Sequence, residues 1–174
     1  LVAFSVARVL PAENLVPDLS QVCGKVVMAD YDVPGSEQLG RNIAKRFAEG
    51  YSTVMMENHG CVIGAKDLFS AFMAFETLDF CGRLQIDAQK LGTLHPLTAE
   101  QIEQSAARRH PLMDEFIPKY YTSEERAARR DMCKLIHRAY DQRLFTSTQG
   151  TFSVRLEDGS FLITPYNKDR KYLE

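Results

Sequence analysis

The stretch "VMMENHGCVIGAKD", residues 54–67, constrains this chain more than any other. An apolar run too short for a helix meets His59-Gly60 and resumes as a second apolar run. It then passes through Lys66-Asp67 into a pattern of helical period. The two runs are two strands, or one strand broken by a tight turn. Asp67 is the expected N-cap of the helix, which reaches about Lys90 and stops at Gly92, with Leu68, Phe72, Phe75 and Leu78 marking its buried face. Upstream, residues 26–31 ("VVMADY") are β-rich and precede "DVPGSE", a turn that offers Ser36 as a cap. Leu39, Ile43 and Phe47 then recur every four residues across 37–49, and Gly50 can close that helix. Strand, helix, strand, long helix is the alternation of an α/β layer structure.

The character changes at "GTLHPLTAEQ". Gly92 and Pro96 make a loop, and Thr98 with Gln101 forms a capping box that starts a short helix. His110-Pro111 and Pro118 break the chain again, so this segment reads as a connector. Thr122 with Glu125 is a second capping box, opening a helix over about 123–144 with Met132, Leu135 and Ala139 facing inward. "TFSVRLEDGSFLITP" predicts a β-hairpin around Asp158-Gly159. Pairing Glu157 with Ser160 across that turn puts Phe152, Val154, Leu156, Phe161 and Ile163 on one face.

A net charge of −2 provides no field to draw nucleic acid or anionic lipid. Arg108-Arg109 and the arginines of 126–130 sit beside acidic residues and read as solvated helix faces. No stretch approaches the roughly 20 apolar residues of a membrane span. Cys23, Cys61, Cys81 and Cys133 form no C-x-x-C pair and read as reduced core cysteines of a cytosolic protein. The chain opens on Leu1 and stops just past a strand-like segment, so we expect both ends to be cut.

His59 is the residue with chemistry to offer. Its neutral nitrogen is a good donor for zinc, and a strand end can aim it. On the residues alone it is one metal ligand or a core or capping imidazole.

Residues 54–92, with the segment "AFSVARVLPAENLVPDLSQVCGKVVMADYDVPGSEQLGRNIAKRF" before them, resemble the carboxy-terminal part of the class II aldolase/adducin family. There an apolar strand ends in N-H-G, and G-x-D/N-L precedes a long helix. "GTFSVRLEDGSFLITP" is similar to that family's amino-terminal hairpin, although here it comes second. The order implies a tandem protein, or a circular permutation. In the tandem reading, residues 1–105 are the back of one copy, 106–121 a connector and 122–174 the front of a second copy. The fold implied is α/β, a central mainly antiparallel sheet flanked by helices, incomplete in this fragment.

The resemblance implies a zinc-dependent lyase that cleaves a carbon–carbon bond of a sugar phosphate, or similar hydroxy-carbonyl compound, through an enediolate; an epimerase or dehydratase shares that chemistry. The alternative is a non-catalytic, adducin-like binding or assembly module. His59 matches the third of the family's three zinc-ligating histidines. The other two, in an H-x-H segment, and the catalytic glutamate are expected before Leu1, so no catalytic residue is assigned here. Glu57 and Asn58 flank the ligand; Glu57 reads as part of the strand. Glu76 reads as a buried polar partner or a solvated group, and His95, His110 and His137 as surface or capping residues. The family's phosphate loop maps onto Gly150 and Thr151, where Thr151 replaces the usual Asn and Tyr166-Asn167 replace Ser-Gly. Lys168 and Arg170 are alternative anion contacts, or parts of a solvated loop. A cytoplasmic homo-oligomer acting on a small phosphorylated substrate, without nucleic-acid or membrane partners, completes the expectation.

Overall fold

The structure, a computed structural model, describes residues 1–108, 116 and 118–174. The chain divides into two compact units, Leu1–Arg109 and His110–Glu174. The break expected at His110-Pro111, and His110 itself, lie outside the described residues.

The first unit runs α1 (Val2–Ala7), α2 (Pro17–Cys23), β1 (Val26–Ala29), α3 (Glu37–Ala48), β2 (Thr53–Met56), β3 (Gly60–Ile63), α4 (Leu68–Leu91) and α5 (Ala99–Ala107). Its sheet has the order β1-β2-β3. β1 and β2 pair in parallel, Val26 opposite Thr53, and α3 supplies the crossover that parallel neighbours require. β2 and β3 pair antiparallel from Met56 opposite Gly60, so the two apolar runs are two strands. All four residues of β2 are buried, as expected of a central strand, and hence it reads as a continuous apolar run rather than an alternating one. Ser36 caps α3, its hydroxyl accepting from the Leu39 amide at 3.0 Å. Asp67 caps α4 through Ser70 N at 2.7 Å, and Thr98 and Gln101 close the expected capping box on α5.

The buried face of α4 differs from expectation. Leu78 is fully buried, but Leu68, Phe72 and Phe75 are exposed (87%, 43% and 47%). The inward residues are Ala74, Thr77, Leu78, Cys81 and Gly82. This stripe also has helical period, and its small side chains let α4 approach its neighbours closely. A Cβ on Gly82 would lie 3.2 Å from the Phe4 ring. The sequence pattern offered two stripes, and close approach selected the smaller. Phe4, Leu19, Cys23, Val26, Met55, Ala74, Leu78 and Cys81 form the core.

The second unit contains α6 (Ser123–Asp141), β4 (Ser153–Arg155), β5 (Phe161–Ile163) and a 3-10 turn at Arg170–Tyr172. Thr122 accepts from Glu125 N at 3.1 Å, and the Glu125 carboxylate takes Nε and Nη2 of Arg129 at 2.9 and 2.8 Å. Ile136 is the buried apolar anchor of α6, whereas Leu135, expected inside, is 57% exposed. The hairpin forms, one residue out of the expected register: Arg155 faces Phe161 and Val154 faces Leu162. A turn closes from Gly159 N to Leu156 O at 3.0 Å, with Gly159 at φ 86°, so the extra loop residue is a glycine bulge. That shift places Val154 and Leu162 on one face and leaves Phe161 and Ile163 exposed on the other.

Candidate functional site

His59 ends a three-residue loop, Glu57-Asn58-His59, between the paired Met56 and Gly60. The His59 amide closes the loop by donating to the Met56 carbonyl at 3.2 Å. Asn58 sits at φ 55°, a left-handed conformation that Asn adopts more readily than most residues with a side chain.

α1 holds this loop from outside the hairpin. The Ser5 hydroxyl donates to the Met56 carbonyl and accepts from the His59 amide at 2.8 Å, and the Ser5 carbonyl accepts from the Asn58 amide at 3.1 Å. Arg8, just past the end of α1, donates from Nε to the Asn58 side-chain oxygen at 3.1 Å. Its Nη1 lies 3.4 Å from the Glu57 carboxylate, which also accepts from the Tyr31 amide at 3.0 Å. Glu57 is therefore an anchor of the loop, and its carboxylate is tied to two other segments. The loop backbone is fixed at every corner while the His59 side chain is exposed.

A metal site requires several converging donors. Among the described residues no group of three His, Cys, Asp or Glu side chains converges, so His59 offers one donor. The remaining histidines stand elsewhere: His95 is exposed, and His137 Nε2 lies 2.9 Å from the Leu173 carbonyl, the position of a capping donor. Glu76 is half-buried and has an interaction partner.

In the second unit, Gly150 has φ 76°, and a Cβ there would meet the Phe145 ring at 3.2 Å. Thr151 beside it is exposed. Arg170, considered as an anion contact on sequence grounds, is 3% exposed and fully committed to backbone. Its Nε donates to Gln149 O at 3.3 Å; Nη1 to Pro165 O and Lys168 O at 2.8 and 3.1 Å; and Nη2 to Thr148 O and Gly150 O at 3.4 and 3.1 Å. Five N–H donors meet five carbonyls, leaving none for a ligand. Burial pulls its pKa below the ordinary arginine value. Lys168 and Tyr166 are exposed.

Reading the sequence alone missed Ser5, Arg8 and the internal role of Arg170. No spacing rule connects position 5 to position 59, or position 170 to positions 148–150. The αL site at Asn58 did leave a signal, an Asn before His-Gly where the chain must turn.

A family model described as the Class II Aldolase and Adducin N-terminal domain matches residues 1–86 and 130–174. The chain belongs to the class II aldolase and adducin family. Among solved structures it is similar to an L-fuculose 1-phosphate aldolase, at 29% identity and a TM-score of 0.52 over 60% of this chain and 49% of that one. It is also similar to YgbL of Klebsiella pneumoniae, titled a putative aldolase/epimerase/decarboxylase, at 26% identity and a TM-score of 0.53 over 60% of this chain and 51% of that one. YgbL of Escherichia coli shares the fold at 24% identity and a TM-score of 0.52, over 59% and 51%. The chain thus spans about half the length of these structures. No curated protein matches. The fold is the α/β arrangement of the family, partly covered. No helix among the described residues is long and apolar enough to cross a membrane.

Proposed function

We propose that the protein is a lyase of the class II aldolase type that uses a divalent metal, zinc by the character of its donor, and cleaves a sugar phosphate or similar hydroxy-carbonyl substrate. The observation that carries this reading is the exposed His59 ring on a loop whose backbone is held by Ser5 and whose Asn58 and Glu57 side chains are held by Arg8. A core imidazole would be packed in hydrocarbon, and a capping imidazole would be spent on backbone, as His137 is. Family membership and the likeness to L-fuculose 1-phosphate aldolase support the reaction class.

Bound at such a site, a divalent metal polarises the oxygens of a hydroxy-carbonyl substrate. In this chain His59 would hold it, and the Ser5 strap would orient the loop. The acid/base group and the other ligands would come from outside these 174 residues, as the family resemblance implies.

Gly150 and Thr151 would serve a second copy's phosphate site, separate from the metal at His59. Thr148, Gln149 and Gly150 turn their carbonyls onto Arg170, and in trans peptides the next amides, of Gln149, Gly150 and Thr151, then point away from the guanidinium. A run of outward amides suits an oxyanion. The two segments matched by the family model fit a tandem arrangement or a circular permutation, and a cytosolic location is part of the same reading. Symmetric assembly with further copies belongs to the same proposal.

Metal analysis of the full-length protein tests the reading. His59→Ala should lose most of its zinc and its retro-aldol activity. Unchanged zinc would overturn the assignment and leave the adducin-like binding module as the better account. The 174-residue chain alone should bind zinc weakly, because one imidazole does not offset the stripping of water from the ion.

A further inference from the structure

Among the described residues no group hydrogen-bonds the His59 ring, so its aim depends on the backbone beneath it. A ligand must be held to about 0.5 Å to serve a metal. Nothing in a three-residue loop supplies that stiffness, because its amides and carbonyls have few partners within the hairpin.

We propose that Ser5 is the positioning residue for His59, and that its hydroxyl sets metal affinity by clamping the loop from both sides. This rests on the reading of His59 as a metal ligand. A single side-chain oxygen donates to the Met56 carbonyl at the loop's entrance and accepts from the His59 amide at its exit. Only a hydroxyl can do both at one point. The Ser5 carbonyl meanwhile takes the Asn58 amide, so both amides that follow Glu57 end on one residue. Ser5 is fully buried, so bulk solvent does not reach its hydroxyl. Its helix is anchored in turn: Phe4 is a core residue packed against Gly82 of α4. The loop is therefore referenced to the core through Ser5, fifty-four residues away in sequence. Arg8 completes the strap on the solvent side through Asn58 and Glu57.

A purely structural role for Ser5 makes a different prediction from a positioning role. Zinc affinity of the full-length protein is measured by competition with a chelator, and the visible spectrum of the cobalt(II) form reports ligand geometry. Ser5→Ala should bind zinc about 10–100-fold more weakly, the range for groups that orient a ligand, and should alter the cobalt spectrum. Ser5→Thr, which keeps the hydroxyl, should recover most of the affinity. Leu78→Val, a core change that lowers Tm without touching the loop, should keep wild-type affinity and spectrum.

Wild-type affinity in Ser5→Ala, or an equal loss in Leu78→Val, would overturn the proposal. Should Ser5→Ala fail to fold, Ser5→Cys keeps the shape and weakens both hydrogen bonds, and wild-type affinity there would overturn the proposal equally. His59→Ala separates the two ideas. Retained zinc in that variant sinks the ligand assignment and Ser5's role together. Lost zinc, with wild-type affinity in Ser5→Ala, sinks Ser5's role alone.

Discussion

Two loops in this chain present backbone or side-chain groups to the outside, and they are built by opposite means. The Glu57-Asn58-His59 loop is clamped by one neutral serine, whose hydroxyl takes the His59 amide and whose carbonyl takes the Asn58 amide, and the group left outside is a side chain. The Thr148–Gly150 segment is gathered around a buried cation that satisfies its carbonyls, and the amides that follow them point away from that cation. Peptide planarity makes the second arrangement inevitable once the carbonyls are fixed. A site that needs a donor nitrogen on a ring calls for the first design, and one that needs to receive an oxyanion calls for the second. The two should fail differently, since a serine contributes two hydrogen bonds and a guanidinium contributes five.

The largest expected effect follows from Arg170. Arg170→Met leaves five carbonyls without the buried donor they share. We expect a loss of about 3–5 kcal/mol, the range for removing one side of a buried charged interaction. In hydrogen exchange the amide protection of β4 and β5 should collapse, with the β2 amides as internal reference. If β4 and β5 keep their protection, the carbonyl cage is not what holds this loop.

A smaller effect contrasts one positive-φ position from each loop, Gly150 and Asn58. Gly150→Ala should cost about 2 kcal/mol, from the left-handed backbone and the ring of Phe145 in the path of the new methyl group. Asn58→Gly should cost no more than about 0.5 kcal/mol, because glycine tolerates the same φ and the lost contact with Arg8 is exposed. Urea unfolding of both variants gives the comparison directly. Equal costs would mean that Phe145 yields freely and that Gly150 is a turn residue rather than a close-approach residue.

Much of this architecture was legible in sequence where a local rule carries it. Ser36, Asp67 and Thr98 were readable as caps because a cap and its amide lie three residues apart. The pair of strands around His59-Gly60 and the hairpin at Asp158-Gly159 were legible for the same reason. The register of the hairpin was not, because a two-residue turn and a bulged one share the same Asp-Gly signal and differ only in which carbonyl Gly159 finds. The buried face of α4 was misread because the more hydrophobic stripe, Leu68, Phe72 and Phe75, is not the one that lets helices close up. For the candidate site, the imidazole was legible and its supports were not. Ser5 and Arg170 act across 54 and 20–22 residues, on backbone atoms that have no identity in the sequence.

The smallest effect sharpens the contrast between the units through their cores. The first unit holds three of the four cysteines, and burial, reinforced by the neighbouring Cys81 thiol, pushes Cys23 up to about 12. Burial likewise pushes Cys81 up to about 11 and raises Cys61. These values lie above the ordinary thiol value of 9.0, so the folded state holds its protons more tightly than the unfolded chain does. The stability they contribute is whole below pH 9 and drains away as the pH rises toward 11 or 12, because the unfolded chain gains by ionising first. At pH 9.5 the loss through Cys23 is about 1 kcal/mol. The β2 amides should therefore exchange faster than pH alone dictates above pH 9, and Cys23→Ala should flatten that dependence. An equally steep alkaline loss in Cys23→Ala would take the cause away from Cys23 and leave it with Cys81, Cys61 or the surface ion pairs.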